Sequence, residues 1–159
     1  MAGHDHTYRS VLSWTGSTGA GYKQYDRAHH LTAPPSVTGL ALTADPAFLG
    51  DPNLLNPEQL VLAAASSCQL LSFLAVAAAA RLNVVGYTDR STAVMPEDDL
   101  PMRITRIELH PQITLADTSQ TRPTEDRLAH LTEVAHRECF IANSLRSDIV
   151  VTPSFHWVD

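Results

Sequence analysis

One uninterrupted segment of small and apolar residues limits what this chain can fold into. Residues 59–82 contain neither Gly nor Pro and are rich in Ala and Leu, which favours a single long helix. Just before this segment, Asn56 is a typical N-cap residue, Pro57 suits the first helical position, and Glu58 places an acidic group in the first turn. The pattern predicts a helix that begins at Pro57, is buried on most of its sides and bends near residues 66–68.

The segments on either side of this helix carry strand and turn signals. β-Branched residues and partial alternation predict strands within residues 8–14, 22–31, 84–95, 103–115 and 148–158. The turn at 96–101 joins the third and fourth of these strands into a hairpin. A second helix is predicted from its N-cap Thr124 to about Glu138, with Cys139 at its end. This order of elements is typical of an α+β fold with antiparallel sheets.

Length and charge narrow the classes of function. A chain of 159 residues is expected to form a single domain over residues 1–159. The formal net charge is -6 and the Lys and Arg residues are scattered, which disfavours nucleic acid as a partner. No apolar run is expected to reach the length of a membrane span, and the N-terminus lacks the pattern of a signal peptide. We therefore expect a cytoplasmic protein with no membrane partner.

The chain contains two cysteines, Cys68 and Cys139. Two cysteines do not make a disulfide scaffold in a chain of this size, and a reducing cytoplasm disfavours a persistent structural bridge between them. They are either small buried residues of the core or a redox pair. Residue type alone leaves both interpretations open.

The eight histidines raise the question of a metal site. His4 and His6 lie close to the terminus, and the adjacent His29 and His30 would point to opposite faces of a predicted strand. His136 stands alone, three residues before the second cysteine. None of these forms a ligand set of the kind that zinc requires, so we expect neither a metal nor a cofactor.

Three motifs, in this order, resemble the OsmC/Ohr family. Residues 56–60 read Asn-Pro-Glu-Gln-Leu, and a run of small residues leads from them to Ser67 and Cys68. Later, Ala135 and His136 precede Cys139 at the end of the second predicted helix. The resemblance covers most of the chain. It implies an intertwined homodimer in which antiparallel sheets surround central helices.

The resemblance also implies a thiol-dependent peroxidase, a peroxiredoxin-like oxidoreductase that reduces organic hydroperoxides. By position, Cys68 corresponds to the cysteine that attacks the peroxide, Cys139 to the resolving cysteine, and Glu58 to the acid that holds an arginine. That arginine corresponds to Arg27, which we prefer, or more distantly to Arg9. The implied partners are an organic hydroperoxide, a second copy of the chain, and a thiol reductant such as a dihydrolipoyl protein or a small thiol.

The chemistry itself sets conditions on these residues. Peroxide reduction needs a thiolate, and a free cysteine is mostly protonated at neutral pH. Burial in an apolar helix would raise the pKa of Cys68 further, so we expect a cation, best supplied by a guanidinium, to lower it. The resulting sulfenic acid would condense with Cys139 to a disulfide. Ten residues of straight helix place Glu58 about 15 Å from Cys68, so either the helix breaks between them or the arginine spans the gap.

Two other classes of function compete with the peroxidase. In the first, the same dimer is a non-catalytic module that binds a small hydrophobic ligand at its interface, and the cysteines are passive. In the second, Cys68 serves another thiol reaction such as acyl transfer, although no pairing of Cys68 with a histidine and an aspartate or asparagine can be identified in the sequence. A thiol pair that responds to peroxide would distinguish the peroxidase from both.

Overall fold

The computed structural model of the chain describes Gly3, residues 5–117 and residues 122–158. His4, one of the histidines considered for a metal, lies outside the described residues. The chain divides into two compact units, Met1–Leu60 and Val61–Asp159. The expectation of one domain over residues 1–159 stays a prediction.

The first unit contains a three-stranded antiparallel sheet. Its strands are β1 (Val11–Ser13), β2 (His29–Thr32) and β3 (Gly39–Leu42), in the order β1-β2-β3. A short 3-10 helix, Pro46–Phe48, follows the sheet. The Asp45 carboxylate caps it by accepting a hydrogen bond from the Ala47 amide at 2.8 Å.

The strand predicted within residues 22–31 forms only at its end, where β2 begins. Upstream of β2, the Arg27 guanidinium donates hydrogen bonds to the backbone carbonyls of Tyr22 and Tyr25 at 2.7 and 2.8 Å. These bonds hold the backbone in turns, so the alternating sequence does not become a longer strand.

The predicted long helix is confirmed as α1, Pro57–Ala79. Asn56 Oδ1 accepts a hydrogen bond from the Gln59 amide at 2.8 Å, and Gln59 Oε1 accepts one from the Asn56 amide at 3.0 Å, which makes a reciprocal cap. The helical pattern continues without a break through residues 66–68. Just beyond the helix, Arg81 adopts a left-handed φ of 58°, a conformation that commonly follows a helix end.

The second unit combines two three-stranded sheets with helices. Its strands are β4 (Val84–Asp89), β5 (Thr92–Val94), β6 (Arg106–Leu109), β7 (Pro111–Ala116), β8 (Asp148–Val151) and β9 (Ser154–Val158). The helices that follow α1 are α2 (Glu125–Arg137), which confirms the second predicted helix, and the short α3 (Phe140–Ser144). The sheet orders are β4-β7-β9 and β5-β6-β8.

Each of the three strand segments predicted in this unit is two strands, one in each sheet. The predicted hairpin is present, since β4 pairs with β7 and β5 with β6 in antiparallel fashion. The last segment adds parallel pairs, β6 with β8 and β7 with β9. The two sheets are therefore mixed, and only the sheet of the first unit is purely antiparallel.

The core of the second unit consists of two apolar clusters that share α1. One cluster contains Phe73, Ala77, Ile113, Leu115, Leu128, Leu131 and Ala135, from α1, β7 and α2. The other contains Ala65, Ile107 and Leu109, from α1 and β6. Cys68 therefore lies on α1 between the parts of the helix that enter the two clusters.

The other face of α1 is apolar as well. On this face, Leu71 and Leu74 are 64% and 38% exposed. The mean hydropathy of the helix is 2.0 over an 18-residue window. Glu58 is the one charged residue of α1. By length and composition α1 could cross a membrane, so the expectation that no apolar run reaches the length of a span was wrong. Core helices of water-soluble proteins have the same properties, and this feature alone assigns no membrane.

Candidate active site

The structure brings Cys68 and Cys139 together from distant parts of the chain. Cys68 is half-buried on α1, Cys139 is buried between α2 and α3, and both are free thiols. The Ile141 amide, two residues after Cys139, donates a hydrogen bond to Cys68 Sγ at 3.5 Å. Each of the two cysteines also shifts the pKa of the other. The two thiols are thus neighbours in the structure, as a redox pair requires.

The turn between α2 and α3 creates this contact. Cys139 has an extended backbone conformation and is the N-cap of α3, where its sulfur accepts a hydrogen bond from the Ala142 amide at 3.4 Å. The first amides of any helix lack acceptors within the helix. Here sulfur atoms fill that role, so α3 directs its amides toward both cysteines.

The environment of Cys68 favours its thiolate. Burial raises the pKa of Cys68, but hydrogen bonds from the Ile141 amide, the Cys139 thiol, the Phe140 amide and the Ser72 hydroxyl outweigh burial and lower the pKa overall. Donors that point at a sulfur stabilise its anion more than its neutral form. Cys68 is therefore the more nucleophilic thiol of the pair.

Cys139 has the opposite character. Burial raises the pKa of Cys139 to about 11, and the Ala142 amide offsets only part of this effect. The neighbouring Cys68, through its interaction with the Cys139 thiol and the charge of its own thiolate, raises the pKa of Cys139 further. At neutral pH, Cys139 keeps its proton while Cys68 is the reactive sulfur.

The other two residues predicted for the site, Glu58 and Arg27, lie in the first unit, and the two cysteines in the second. Glu58 is half-buried in the first turn of α1, and ten residues of unbroken helix, about 15 Å of rise, separate it from Cys68. The Arg27 guanidinium lies over the rings of Tyr22 and Tyr25, at 4.8 and 4.2 Å from their centroids.

No ion pair joins Arg27 to Glu58 within the part of the first unit that the structure describes. The alternative, Arg9, is exposed. The arginine that assists Cys68 therefore stays a prediction. Hydrogen bonds from α3 and Ser72 already favour the Cys68 thiolate without it.

A family model described as OsmC-like protein matches residues 50–154. This chain belongs to the OsmC-like family. An OsmC-like protein of unknown function from Vibrio cholerae is 27% identical to it, with a TM-score of 0.83, and the match covers 94% of this chain and 100% of that one. The α+β, OsmC-like fold predicted from the sequence is thereby confirmed.

Two further solved structures have the same fold at lower identity. An organic hydroperoxide resistance protein OsmC from Legionella pneumophila has 18% identity and a TM-score of 0.67, covering 94% of this chain and 96% of that one. An organic hydroperoxide resistance protein from Elizabethkingia anophelis has 19% identity and a TM-score of 0.69, covering 98% and 99%. No curated protein is significantly similar to the chain in sequence.

The second unit of this OsmC-like chain contains both paired and unpaired polar groups. The Ser66 hydroxyl donates to one oxygen of Asp89, and the His110 amide donates to the other at 2.8 Å. In contrast, three buried side-chain atoms have no hydrogen-bond partner among the described residues: Gln69 Oε1, Tyr87 Oη and His136 Nδ1.

No group of three or more His, Cys, Asp or Glu side chains suited to a metal ion occurs within residues 5–117 and 122–158. The first unit of the OsmC-like chain does contain an apolar pocket of about 420 Å³. Its lining includes Leu12, Trp14, Tyr25, Arg27 and Pro57.

Sequence reasoning missed two parts of this site. Ser72 lies four residues after Cys68, and that spacing places both on one face of a helix, so the predicted helix already carried the signal. The short α3 carried a weaker signal, because cysteine is not among the residues that usually cap helices. Without the prediction of α3, the amides of Phe140 and Ile141 could not be assigned to the site.

Proposed function

We propose that this protein is a thiol-dependent peroxidase that reduces organic hydroperoxides through a Cys68 sulfenic acid and a Cys68–Cys139 disulfide. The asymmetric thiol pair carries this proposal. Cys68 has a lowered pKa and is half-buried, whereas the neighbouring Cys139 is buried and its raised pKa keeps it protonated. A nucleophilic thiol beside a second thiol is the arrangement that peroxide reduction and resolution need.

The reaction proceeds in two balanced steps. The Cys68 thiolate attacks a peroxide oxygen, so that an S–O bond forms, the O–O bond breaks, and the alkoxide leaves and takes up a proton to become an alcohol. The Cys139 sulfur then attacks the Cys68 sulfur. The S–O bond breaks, the disulfide forms, and the Cys139 proton leaves with the hydroxide as water. Two thiols of a reductant afterwards reduce the disulfide and are themselves oxidised.

The substrate class is supported by the names of relatives. The similar structures from Legionella pneumophila and Elizabethkingia anophelis are named organic hydroperoxide resistance proteins, although their identity with this chain is low. In this proposal Arg27, held by Glu58, assists Cys68 in the assembled protein. We further propose a homodimer, a cytoplasmic location, and a dihydrolipoyl protein or a small thiol as the reductant.

A stoichiometric titration tests the proposal. Reduced protein mixed with cumene hydroperoxide should lose two thiols per subunit and yield a Cys68–Cys139 disulfide, detected by mass spectrometry of the unreduced peptides. Cys68→Ser should consume no peroxide, whereas its matched partner Cys139→Ser should react once and proceed to sulfinic acid under excess peroxide. Thiols that stay unchanged under excess hydroperoxide would contradict the proposal.

A second candidate function is a binding module for a small hydrophobic ligand, and the apolar pocket of the first unit favours it. In that case Trp14, which lines the pocket, should report binding of an alkyl or aryl ligand by its fluorescence. Binding of this kind together with thiols that do not respond to peroxide would replace the peroxidase proposal with this one.

A further inference from the structure

Tyr87 packs against the core cluster to which both cysteine-bearing helices contribute. Its ring lies 6.3 Å from the ring of Phe73, measured between centroids, and Phe73 follows Cys68 on α1. The same cluster contains Ala135, one helical turn before Cys139. Tyr87 thus packs against a cluster whose members Phe73 and Ala135 lie five and four residues along the chain from Cys68 and Cys139.

The hydroxyl of Tyr87 has no role in holding this core together. Its oxygen is buried and has no hydrogen-bond partner among the described residues. An unpaired buried hydroxyl costs free energy relative to a phenylalanine of the same shape. The presence of a hydroxyl at this position is explained if a hydrogen-bond acceptor reaches it in another state of the protein.

Two charged or titratable groups act on this hydroxyl, Asp89 and Cys139. Burial, followed by the charge of Asp89 and then that of Cys139, raises the pKa of Tyr87, so the phenol remains a donor at all ordinary pH values. Both oxygens of Asp89 already accept hydrogen bonds, from Ser66 and from the His110 amide. Cys139 is the group of the two whose charge must change during the reaction.

We propose that the Tyr87 hydroxyl donates a hydrogen bond to the Cys139 sulfur while that sulfur attacks the Cys68 sulfenic acid. The inference rests on the proposed function. Before oxidation, Cys139 is a neutral thiol and a weak acceptor. As its proton passes toward the departing hydroxide, negative charge develops on the Cys139 sulfur, and it is lost again only when the S–S bond is complete. A donor at the Cys139 sulfur stabilises this transient charge.

The Tyr87→Phe variant of the full chain tests the inference, because it keeps the ring that packs against Phe73 and removes only the hydroxyl. Reduced protein is mixed with one equivalent of cumene hydroperoxide, quenched with acid and analysed by mass spectrometry over time. We expect sulfenic acid to form within about twofold of the wild-type rate and the disulfide to form about tenfold more slowly. Tyr8→Phe, which removes the hydroxyl of an exposed tyrosine, is the matched control.

A second measurement needs no peroxide. In a Cys68→Ser background, the pH dependence of Cys139 alkylation reports the Cys139 thiolate directly. Tyr87→Phe should move this profile to higher pH, whereas a purely structural role for Tyr87 would leave it in place. An unchanged profile, or disulfide formation at the wild-type rate, overturns the inference. A wild-type protein that consumes no hydroperoxide overturns the proposed function, and the alkylation profile then decides the role of Tyr87 separately.

Discussion

The sulfur of Cys68 accepts a hydrogen bond from the Ile141 amide at 3.5 Å, and the Cys139 thiol, the Phe140 amide and the Ser72 hydroxyl add to the effect of that bond in lowering the pKa of Cys68. From the sequence, a guanidinium was expected to lower the pKa of this cysteine against the effect of burial. The donors that act on the sulfur in the second unit are neutral instead. Neutral donors fixed in place favour a thiolate without bringing in a second buried charge.

Replacement of Ser72 tests this account at a single residue. Ser72→Ala removes one donor from the Cys68 thiolate, so the pKa of Cys68 should rise. Because only the thiolate is alkylated, a higher pKa leaves a smaller thiolate fraction at neutral pH. Alkylation at neutral pH should therefore slow by roughly three- to tenfold, while the rate at high pH, where the thiol is fully ionised, stays the same. The measurement is a pH profile of Cys68 alkylation in a Cys139→Ser background.

Ser67→Ala provides the matched control for Ser72, since Ser67 is an exposed serine on the same helix. The pH profile of Cys68 alkylation in Ser67→Ala should match that of the Cys139→Ser protein without a further substitution. Superimposable profiles for Ser72→Ala and Ser67→Ala would show that the hydroxyl does not act on the sulfur.

Among the elements, α3 depends on the chemistry of the cysteines. The Ile141 amide donates to the Cys68 sulfur at 3.5 Å, and a thiolate accepts such a bond better than a disulfide does. Oxidation to the Cys68–Cys139 disulfide should therefore weaken the start of α3. We expect hydrogen exchange at Ile141 to become about tenfold faster in the oxidised protein.

Amides of α2 such as that of Leu131, which lies in the core cluster, provide the internal reference and should exchange at the same rate in both forms. Equal protection of Ile141 before and after oxidation would mean that the start of α3 does not depend on the charge of the Cys68 sulfur.

The sequence predicted the elements whose limits depend on local chemistry. Asn56 and Pro57 fixed the start of α1, and Thr124 fixed the start of α2, because caps act within a few residues. The division of the segments 84–95 and 103–115 between two sheets could not be predicted, since the apolar pattern continues across each break. Tertiary pairing decides where a strand changes sheets.

The candidate site shows the same limit. The contact between Cys68 and Cys139 was expected from the family resemblance, and the helix spacing of Ser72 was readable in the sequence. Tyr87 was not identified, because its packing against the core cluster depends on how β4 meets α1 and α2. No local pattern encodes such a contact.

On the scale of the whole molecule, the exposed apolar side of α1 calls for a partner surface. Leu71 is 64% exposed on an otherwise apolar helix, and contiguous apolar surface of this kind marks interfaces in soluble proteins. The family resemblance implies a homodimer. We expect sedimentation equilibrium at micromolar concentration to show a dimer.

Leu71→Glu should shift this equilibrium toward monomer, because it places a charge in the apolar interface. Leu100→Glu is the matched control. Leu100 is more exposed than Leu71, at 78%, and lies outside the helices and strands, so this variant should leave the dimer intact. A wild-type chain that sediments as a folded monomer would contradict the proposed assembly.

The two mixed sheets of the second unit are built from the same three stretches of chain, each of which contributes one strand to either sheet. Neither sheet can lose a strand without releasing the neighbouring strand of the other, and the parallel pairs join segments about forty residues apart. Their disruption is expected to be all-or-none. Assembly of the unit is expected to be slow, because no strand order can be completed before the end of the chain is in place. The cysteine pair lies on elements that this arrangement holds, so the two cysteines remain neighbours for as long as the unit remains folded.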